Sequence, residues 1–186
     1  MRPIFLFISS LALASHAHAG SDPHHAHNHG HAELAVISQG QELVLELRAD
    51  LADLVGAERA PTTPEEAAAL RALHGDFRTG EPPFHLSDRA NCVPQSATSE
   101  GGYAHLIMLD DADGAAGDEQ SDEAHDEHMV TARWTWDCAH PDRLQRIDVT
   151  MFERFPAVVE IEVVVLTDDA QMGDKLAPKN AILRMP

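Results

Sequence analysis

Positive charge is scarce in this chain of 186 residues. Lys and Arg number 13 against 31 Asp and Glu, which gives a formal net charge of −18. Nucleic acids and anionic membrane surfaces repel a protein of that charge, so we expect neither as a partner. Aromatic residues make up only 5% of the chain, but hydrophobic residues reach 44%, which is enough for one packed core.

Long hydrophobic runs are also absent. One mostly apolar stretch, Ile4–Ala14, is too short to span a membrane. It follows Arg2 and precedes Ala17-His18-Ala19, which has the small-x-small form of a signal-peptide cleavage site. We therefore interpret residues 1–19 as a signal peptide and expect an exported protein that is not inserted in the membrane after cleavage.

The rest of the chain has the length of a single domain. We predict a flexible His-rich tail at residues 20–30 and one domain at residues 31–186, with an acidic loop at residues 110–128. Asp110–Glu127 has nine acidic residues, no Lys or Arg, and only alanine as an apolar residue. Such a segment buries too little surface to offset the entropy lost on ordering, which predicts a solvated loop.

Cysteine is rare too, with only Cys92 and Cys138. In an exported protein an even pair most simply forms one disulfide. The alternative is that both are thiolate ligands of a metal, although they lack the short C-x-x-C spacing of most thiolate sites. The sequence favours the disulfide.

Catalytic motifs are missing from the sequence as well. It has no H-E-x-x-H, no G-x-S-x-G and no Gly-rich phosphate loop followed by Lys. Its carboxylates cluster in the acidic loop, without the apolar surroundings that raise a carboxyl pKa for acid catalysis. We therefore predict a protein that is not an enzyme.

Alternation of apolar and polar residues predicts most of the secondary structure. Two alternating segments on either side of Gln39-Gly40 predict a β-hairpin. Thr63-Pro64-Glu65-Glu66 has the form of a capping box, so we expect a helix at about Pro64–Phe77, with His74 at its surface. Further strands are predicted near 84–86, 91–93, 103–109, 130–136, 147–151, 159–165 and 182–185, with a turn-rich connection at Asp168–Lys179. One helix among many strands predicts an α+β fold with a mainly antiparallel, sandwich-like β-sheet.

What the sequence has in abundance is histidine. The predicted tail and the residue after it carry five within eight residues: His24, His25, His27, His29 and His31. Imidazole is the commonest protein ligand for zinc and similar divalent metals, which predicts a zinc site. In an extended segment alternate imidazoles lie roughly 6.5–7 Å apart, too far for one tetrahedral site, so the tail must curl around the ion. The alternative is an accidental low-complexity tract or a tag.

A second group of candidate ligands lies at the end of the acidic loop. His125 and His128 flank Asp126-Glu127 and could form half of a metal site. The alternative is a polar loop with chance histidines. His105 precedes an apolar run and could face the same ion.

Several short motifs, in a fixed order, resemble one protein family. The family's opening H-G-H-A-E-L is similar to His29–Leu34, and its second block is similar to Leu54–Pro61. Its F-x-x-F-P segment is similar to Met151–Pro156, and its closing motif to Leu176–Asn180. Its two cysteines match Cys92 and Cys138. The chain therefore resembles the ZrgA-like family of periplasmic zinc-uptake proteins.

The resemblance implies zinc binding in the periplasm and a part in zinc acquisition beside envelope zinc transporter components. Family members often carry a denser histidine run in the central loop. In this chain the central loop is mainly acidic. We therefore hypothesise a non-catalytic carrier or buffer of zinc ions. The alternative is an adaptor domain that docks on an envelope ABC-type transporter, with incidental histidines.

Overall fold

The computed structural model describes residues 29–108 and 127–186. These two ranges contain nine strands, β1 (His31–Gln39), β2 (Glu42–Asp50), β3 (Phe84–Leu86), β4 (Cys92–Gly101), β5 (Met129–Cys138), β6 (Arg146–Val149), β7 (Glu160–Thr167), β8 (Gln171–Leu176) and β9 (Ile182–Arg184). They also contain four α-helices, α1 (Leu51–Val55), α2 (Pro64–Thr79), α3 (Ala104–Met108) and α4 (Met151–Arg154). The predicted α+β fold is confirmed.

Parts of the predicted organisation lie outside the described residues. These are the signal peptide at 1–19, the tail as far as residue 28 and the acidic loop from residue 110 to residue 126. Within the two described ranges, no helix is both long and apolar enough to cross a membrane.

The strands form two sheets. The large sheet has the order β4-β5-β2-β1-β7-β8, and the small sheet has the order β3-β6-β9. Neighbouring strands are antiparallel, except for β1 and β7, which are parallel. The predicted hairpin is confirmed, since β1 and β2 are paired along their length. The pairing runs from Gln39 opposite Glu42, at the turn, to Ala32 opposite Ala49. Both β1 and β5 are antiparallel to β2, so both begin at the end of the sheet where β2 stops.

One face of the large sheet packs against α2 and the small sheet. The Trp134 ring of β5 meets Phe77 of α2 and Phe84 of β3 edge-on, with centroid distances of 5.5 and 5.4 Å. Its Nε1 donates a hydrogen bond of 2.9 Å to the backbone oxygen of Phe77, so the polar atom of this buried ring is satisfied. The alternating buried residues of β1, β2, β5 and β7 complete the same core, which is sandwich-like as predicted.

Helix α2 starts as the sequence predicts. The Thr63 side chain accepts from the Glu66 backbone N–H, and the Glu66 carboxylate accepts from the Thr63 backbone N–H. Hydrogen bonds from the Thr62 backbone and the Arg59 side chain hold the pKa of Glu66 at about 2. The helix continues past Phe77 to Thr79.

The strand predicted at 103–109 is wrong. Gly101 and Gly102 have φ angles of 73° and 52°, so the extended chain ends there and Ala104–Met108 forms α3. A short apolar run fits a strand and a buried helical turn equally well, which is why alternation failed. The strand expected near 147–151 also stops early, at Val149, and α4 follows.

The connection predicted at Asp168–Lys179 contains strand β8, so this prediction is wrong as well. β8 pairs only with β7 and forms an edge of the large sheet. Its residues are mostly polar and exposed or half-buried, with only Leu176 buried. An edge strand of this kind lacks the apolar alternation by which the other strands are predicted.

The disulfide prediction is confirmed. Cys92 and Cys138 face each other in the β4–β5 pairing and are joined by a disulfide. The bond excludes the alternative in which both are thiolate ligands. Disulfides are typical of oxidising compartments, and this one fits an extracytoplasmic protein.

Candidate metal centre

The start of β1 and the start of β5 lie at one end of the large sheet, on either side of the end of β2. Ala32 pairs with Ala49, and Asp50 pairs with Met129. Neighbouring strands are about 4.8 Å apart, so the two starting points are about 10 Å apart. His29 and His128 lie just before these strands. The fold therefore brings them to the same end of the sheet although they are far apart in the sequence.

A cavity of about 220 Å³ is lined by His29, His128, Asp50, Ala52 and Glu58. Asp50 is buried, His128 is half-buried, and His29 and Glu58 are exposed. Imidazole nitrogens and carboxylate oxygens are both ligands that zinc accepts. Within residues 29–108 and 127–186, however, no three His, Cys, Asp or Glu side chains are arranged to hold a metal ion. The cavity thus has two imidazoles and two carboxylates in its lining, without a complete set of metal ligands among the described residues.

Gly30 anchors the chain that carries His29. Its backbone N–H donates a 2.7 Å hydrogen bond to the carboxylate of Asp53 in α1, and its oxygen accepts from the Val159 and Glu160 N–H groups. Gly30 is buried with a φ of 83°, and a Cβ added there would lie 2.9 Å from the Val159 side chain. Only glycine fits this position without strain. His29 is thus attached to a fixed point of the backbone.

The first turn of α1 fixes the backbone on the other side of the cavity. The Asp50 carboxylate accepts a 2.8 Å hydrogen bond from the Ala52 N–H and caps the helix. The Leu51 N–H donates a 2.8 Å hydrogen bond to the backbone oxygen of His128. Asp50 and His128 are therefore held by the same helix start.

Tyr103 contacts the His128 side chain, a contact that the sequence reasoning missed. The Tyr103 hydroxyl lies 3.0 Å from Nδ1 of His128 and 3.5 Å from Nε2, and the two rings are nearly perpendicular. Burial raises the pKa of Tyr103, and the negative charges of Glu127 and Asp50 act in the same direction. The signal that could have found this residue is the single tyrosine of the chain following a Gly-Gly pair.

His31 lies beside the cavity but is not among the residues that line it. Its Nδ1 is 3.5 Å from the Glu160 carboxylate on the neighbouring strand β7. The same carboxylate accepts a 2.9 Å hydrogen bond from Lys175, which lowers the pKa of Glu160. His31 thus faces an ion pair on the outer surface of the sheet.

The remaining predicted ligands are placed as follows. His24, His25, His27 and His125 lie outside the described residues. His105 is exposed on α3 and is not among the residues that line the cavity. The structure therefore brings together His29 and His128 from the predicted set.

The prediction that His74 lies at the surface of α2 is wrong. His74 is fully buried, and its Nδ1 lies 2.8 Å from the Ser99 hydroxyl of β4. Its Nε2 has no hydrogen-bond partner among the described residues. Burial lowers the pKa of His74; Arg78 acts in the same direction and the Gly102 backbone acts against it. His74 is four residues after Leu70, so helical spacing places both on the buried face, and its polarity alone suggested otherwise.

A larger cavity of about 750 Å³ lies at the small sheet and is a poorer candidate. Arg89 and Arg146 are among its lining residues, and Arg146 pairs with Asp148 at 3.2 Å. Guanidinium groups cannot ligate a metal and repel divalent cations. The smaller cavity, which has no Lys or Arg in its lining, suits zinc better.

Comparison with known proteins supports a role in zinc transport. Residues 26–185 match the ZrgA family of zinc uptake proteins. The chain belongs to this family. The matched range includes His29, His128, Tyr103 and both cysteines, and so covers the cavity end of the sheet as well as the disulfide. No curated protein gives a significant match to the chain.

Proposed function

We propose that this chain is a non-catalytic, periplasmic zinc-binding protein of zinc uptake, which captures the ion at the cavity between His29 and His128. The observation that carries the proposal is that two histidines from separate histidine-bearing segments line one cavity together with Asp50 and Glu58. Both ligand types suit zinc.

Further ligands come from the segments that precede the two histidines. His27 is two residues before His29, and His125 is three residues before His128. Three residues of chain span at most about 10 Å, which is short enough for these two side chains to serve as the further ligands. The family membership supports this assembly.

Negative charge around the cavity draws the cation in. Asp50 and Glu58 line the cavity, and Glu127 lies near enough to Tyr103 to act on its pKa. The acidic residues from 110 to 126 extend the same sign of charge along the chain. A cleft lined by one sign of charge raises the local concentration of the opposite ion.

Reversible coordination by neutral imidazole is the proposed mechanism. Zinc and protons compete for the same ring nitrogens, so acid releases the metal. A site that is completed only when the ion arrives binds less tightly than a preformed cage. Moderate affinity suits a protein that passes zinc to a transporter.

The proposal is tested by calorimetric zinc titration at pH 7.5 of three chains: wild type, His29→Ala/His128→Ala, and the matched control His85→Ala/His140→Ala. The control also removes two exposed imidazoles, away from the cavity. The cavity variant is expected to lose at least about 10-fold in affinity, while the control keeps the wild-type value. Equal affinities in all three chains would overturn the proposal.

A second candidate function, an adaptor that docks on an envelope transporter, is favoured by one surface. Val164 and Leu166 of β7 are 46% and 37% exposed, and they pair with Ala35 and Ile37 on the outer face of the large sheet. Apolar side chains grouped on an exposed sheet face can form part of a protein contact. The His29→Ala/His128→Ala variant separates the two functions, because a zinc carrier loses uptake while an adaptor keeps it.

A further inference from the structure

The outer face of the large sheet, opposite α2 and the small sheet, carries a group of apolar side chains. The strand pairings place Val164 beside Ala35 and, two residues further along, Leu166 beside Ile37, which pairs with Val44 of β2. We call these five residues the apolar patch. Val164 and Leu166 are 46% and 37% exposed, and Ala35 and Ile37 are half-buried. The apolar patch spans three strands and two rows of side chains, about 10 Å by 7 Å.

Charged side chains border the apolar patch on the side toward the zinc cavity, and they form ion pairs. Glu46 pairs with Arg133 at 3.1 Å, and Glu162 pairs with Lys175 at 2.6 Å. Each pair joins directly opposite residues of neighbouring strands, so both charges lie side by side on the same face. The charges along this border are therefore balanced within each pair.

The border at the β1–β2 turn carries exposed carboxylates without such partners. Glu42 and Asp137 lie directly opposite each other in the β2–β5 pairing, and like charges in this position are destabilising. Neither forms an ion pair with a cationic side chain in the part of the chain that the structure describes. Asp168 adds a third carboxylate at this end, where it accepts a 2.9 Å hydrogen bond from the Gly40 N–H of the turn. This border thus concentrates negative charge beside the apolar patch.

We propose that the apolar patch and the adjoining carboxylates form a docking surface for a partner protein that presents apolar side chains beside Lys or Arg. The apolar side chains of the partner cover Val164 and Leu166, and its cations lie against Glu42 and Asp137. Apolar surface removed from water supplies affinity, and complementary charge sets the orientation. The zinc cavity lies at the other end of the sheet, so this inference does not depend on the proposed metal site.

Charge and size favour such a partner over other occupants of the surface. A second copy of the chain brings the same carboxylates and a formal charge of −18, so the two copies repel each other. A stable dimer also buries about 800 Å² on each copy, which is more than a patch of this size offers. The acidic segment Asp110–Glu127 has the same sign of charge as the carboxylate border. A short cationic segment of another protein meets none of these obstacles.

The test uses two dye-labelled peptides of equal length, one that alternates Val with Lys and one that alternates Val with Glu. Fluorescence anisotropy measures their binding to the zinc-free chain, and NMR shifts of the backbone amides locate the bound peptide. The Lys peptide is expected to bind and to shift the amides around Val164 and Leu166. Its affinity is expected to fall as salt is added, because the carboxylates at this border are exposed. The Glu peptide is expected not to bind.

The apolar part of the surface is tested with Val164→Ser/Leu166→Ser. The matched control, Val159→Ser/Ile182→Ser, removes two other exposed apolar side chains, which are 53% and 40% exposed. The patch variant is expected to bind the Lys peptide about 10-fold more weakly than wild type, whereas the control stays within about twofold.

The charged part is tested with Glu42→Gln/Asp137→Asn, which is not expected to impair folding because it removes a like-charge pair. The matched control, Glu65→Gln/Glu153→Gln, removes two exposed carboxylates elsewhere and changes the net charge equally. The Glu42→Gln/Asp137→Asn variant is expected to bind the Lys peptide severalfold more weakly and with a smaller dependence on salt than the control.

Three results would overturn the proposal. Equal affinities in either test variant and its control would show that the corresponding part of the surface does not take part. A dimer in sedimentation velocity that Val164→Ser/Leu166→Ser abolishes would make a second copy the occupant. A shift of the patch amides on deletion of residues 20–28 or 110–126 would show that the chain covers this face itself.

Discussion

The two ends of the large sheet differ in what holds them together. At one end, the disulfide joins the start of β4 to the end of β5. At the other end, β5 starts after His128, and hydrogen bonds of Gly30, Leu51 and Gly102 join the neighbouring segments without a covalent crosslink among the described residues. Strand β5 thus runs from the end of the sheet that has the cavity to the end that has the disulfide. The proposed zinc site thus lies at the end of the sheet opposite the disulfide.

The largest expected effect is at the disulfide end. Cys92→Ser/Cys138→Ser removes a crosslink between residues 46 apart in the sequence, which is expected to lower the free energy of unfolding by about 4 kcal/mol. Zinc affinity of the folded chain is expected to stay within about twofold, because the cavity is at the other end. Urea unfolding and calorimetry check the two values. A large loss of zinc affinity would show that the two ends are coupled.

The next effect is the pH dependence of the cavity end. Each coordinating imidazole must be neutral, and ordinary histidine has a pKa of about 6.5. Lowering the pH from 7.5 to 5.5 is therefore expected to weaken zinc binding by about 10-fold or more, as measured by calorimetry. Equal affinity at both values would contradict coordination by imidazole.

Substitution of Gly30 is expected to have a smaller effect, confined to the cavity end. Gly30→Ala puts a Cβ 2.9 Å from the Val159 side chain at a φ of 83°, which is expected to cost about 1 kcal/mol of stability. The shifted backbone also moves His29, so zinc affinity is expected to fall severalfold. Gly40→Ala is the matched control, since its φ is also positive and a Cβ there meets nothing within 4 Å. Similar zinc affinities in the two variants would rule out anchoring by Gly30.

The smallest effect is the pH dependence of stability that arises from His74. Burial holds the pKa of His74 below its ordinary value of 6.5. Below about pH 6.5 the unfolded chain binds a proton that the folded chain does not, so the stability contributed by the neutral ring is lost as the pH falls. The His74→Gln variant is expected to lose less stability than wild type between pH 7 and pH 5.5 in urea unfolding. Parallel pH curves would contradict this role.

Local signals in the sequence predict much of the fold. The capping box at Thr63 and Glu66 and the alternation in β1, β2, β5 and β7 lie within short stretches of chain, and the structure confirms them. Strand β8 escapes prediction because an edge strand buries too few side chains to show alternation. His74 shows that helical spacing is a better guide to burial than residue polarity.

The candidate site depends on contacts between distant segments, which a single sequence does not contain. Histidine content alone points to His29 and His128, but their meeting in one cavity requires the order β5-β2-β1 in the sheet. The contact of Tyr103 with His128 requires the turn that ends β4 to lie against the start of β5. The candidate ligands could thus be predicted from their residue types, whereas their positions relative to one another could not.

The most direct test of the account is to locate the zinc ion by anomalous diffraction from crystals of the zinc-loaded chain. The account predicts a zinc peak in the cavity, about 2.0–2.1 Å from ring nitrogens of both His29 and His128. A zinc ion bound elsewhere, for example at His31 and Glu160, with neither His29 nor His128 as a ligand, would contradict it.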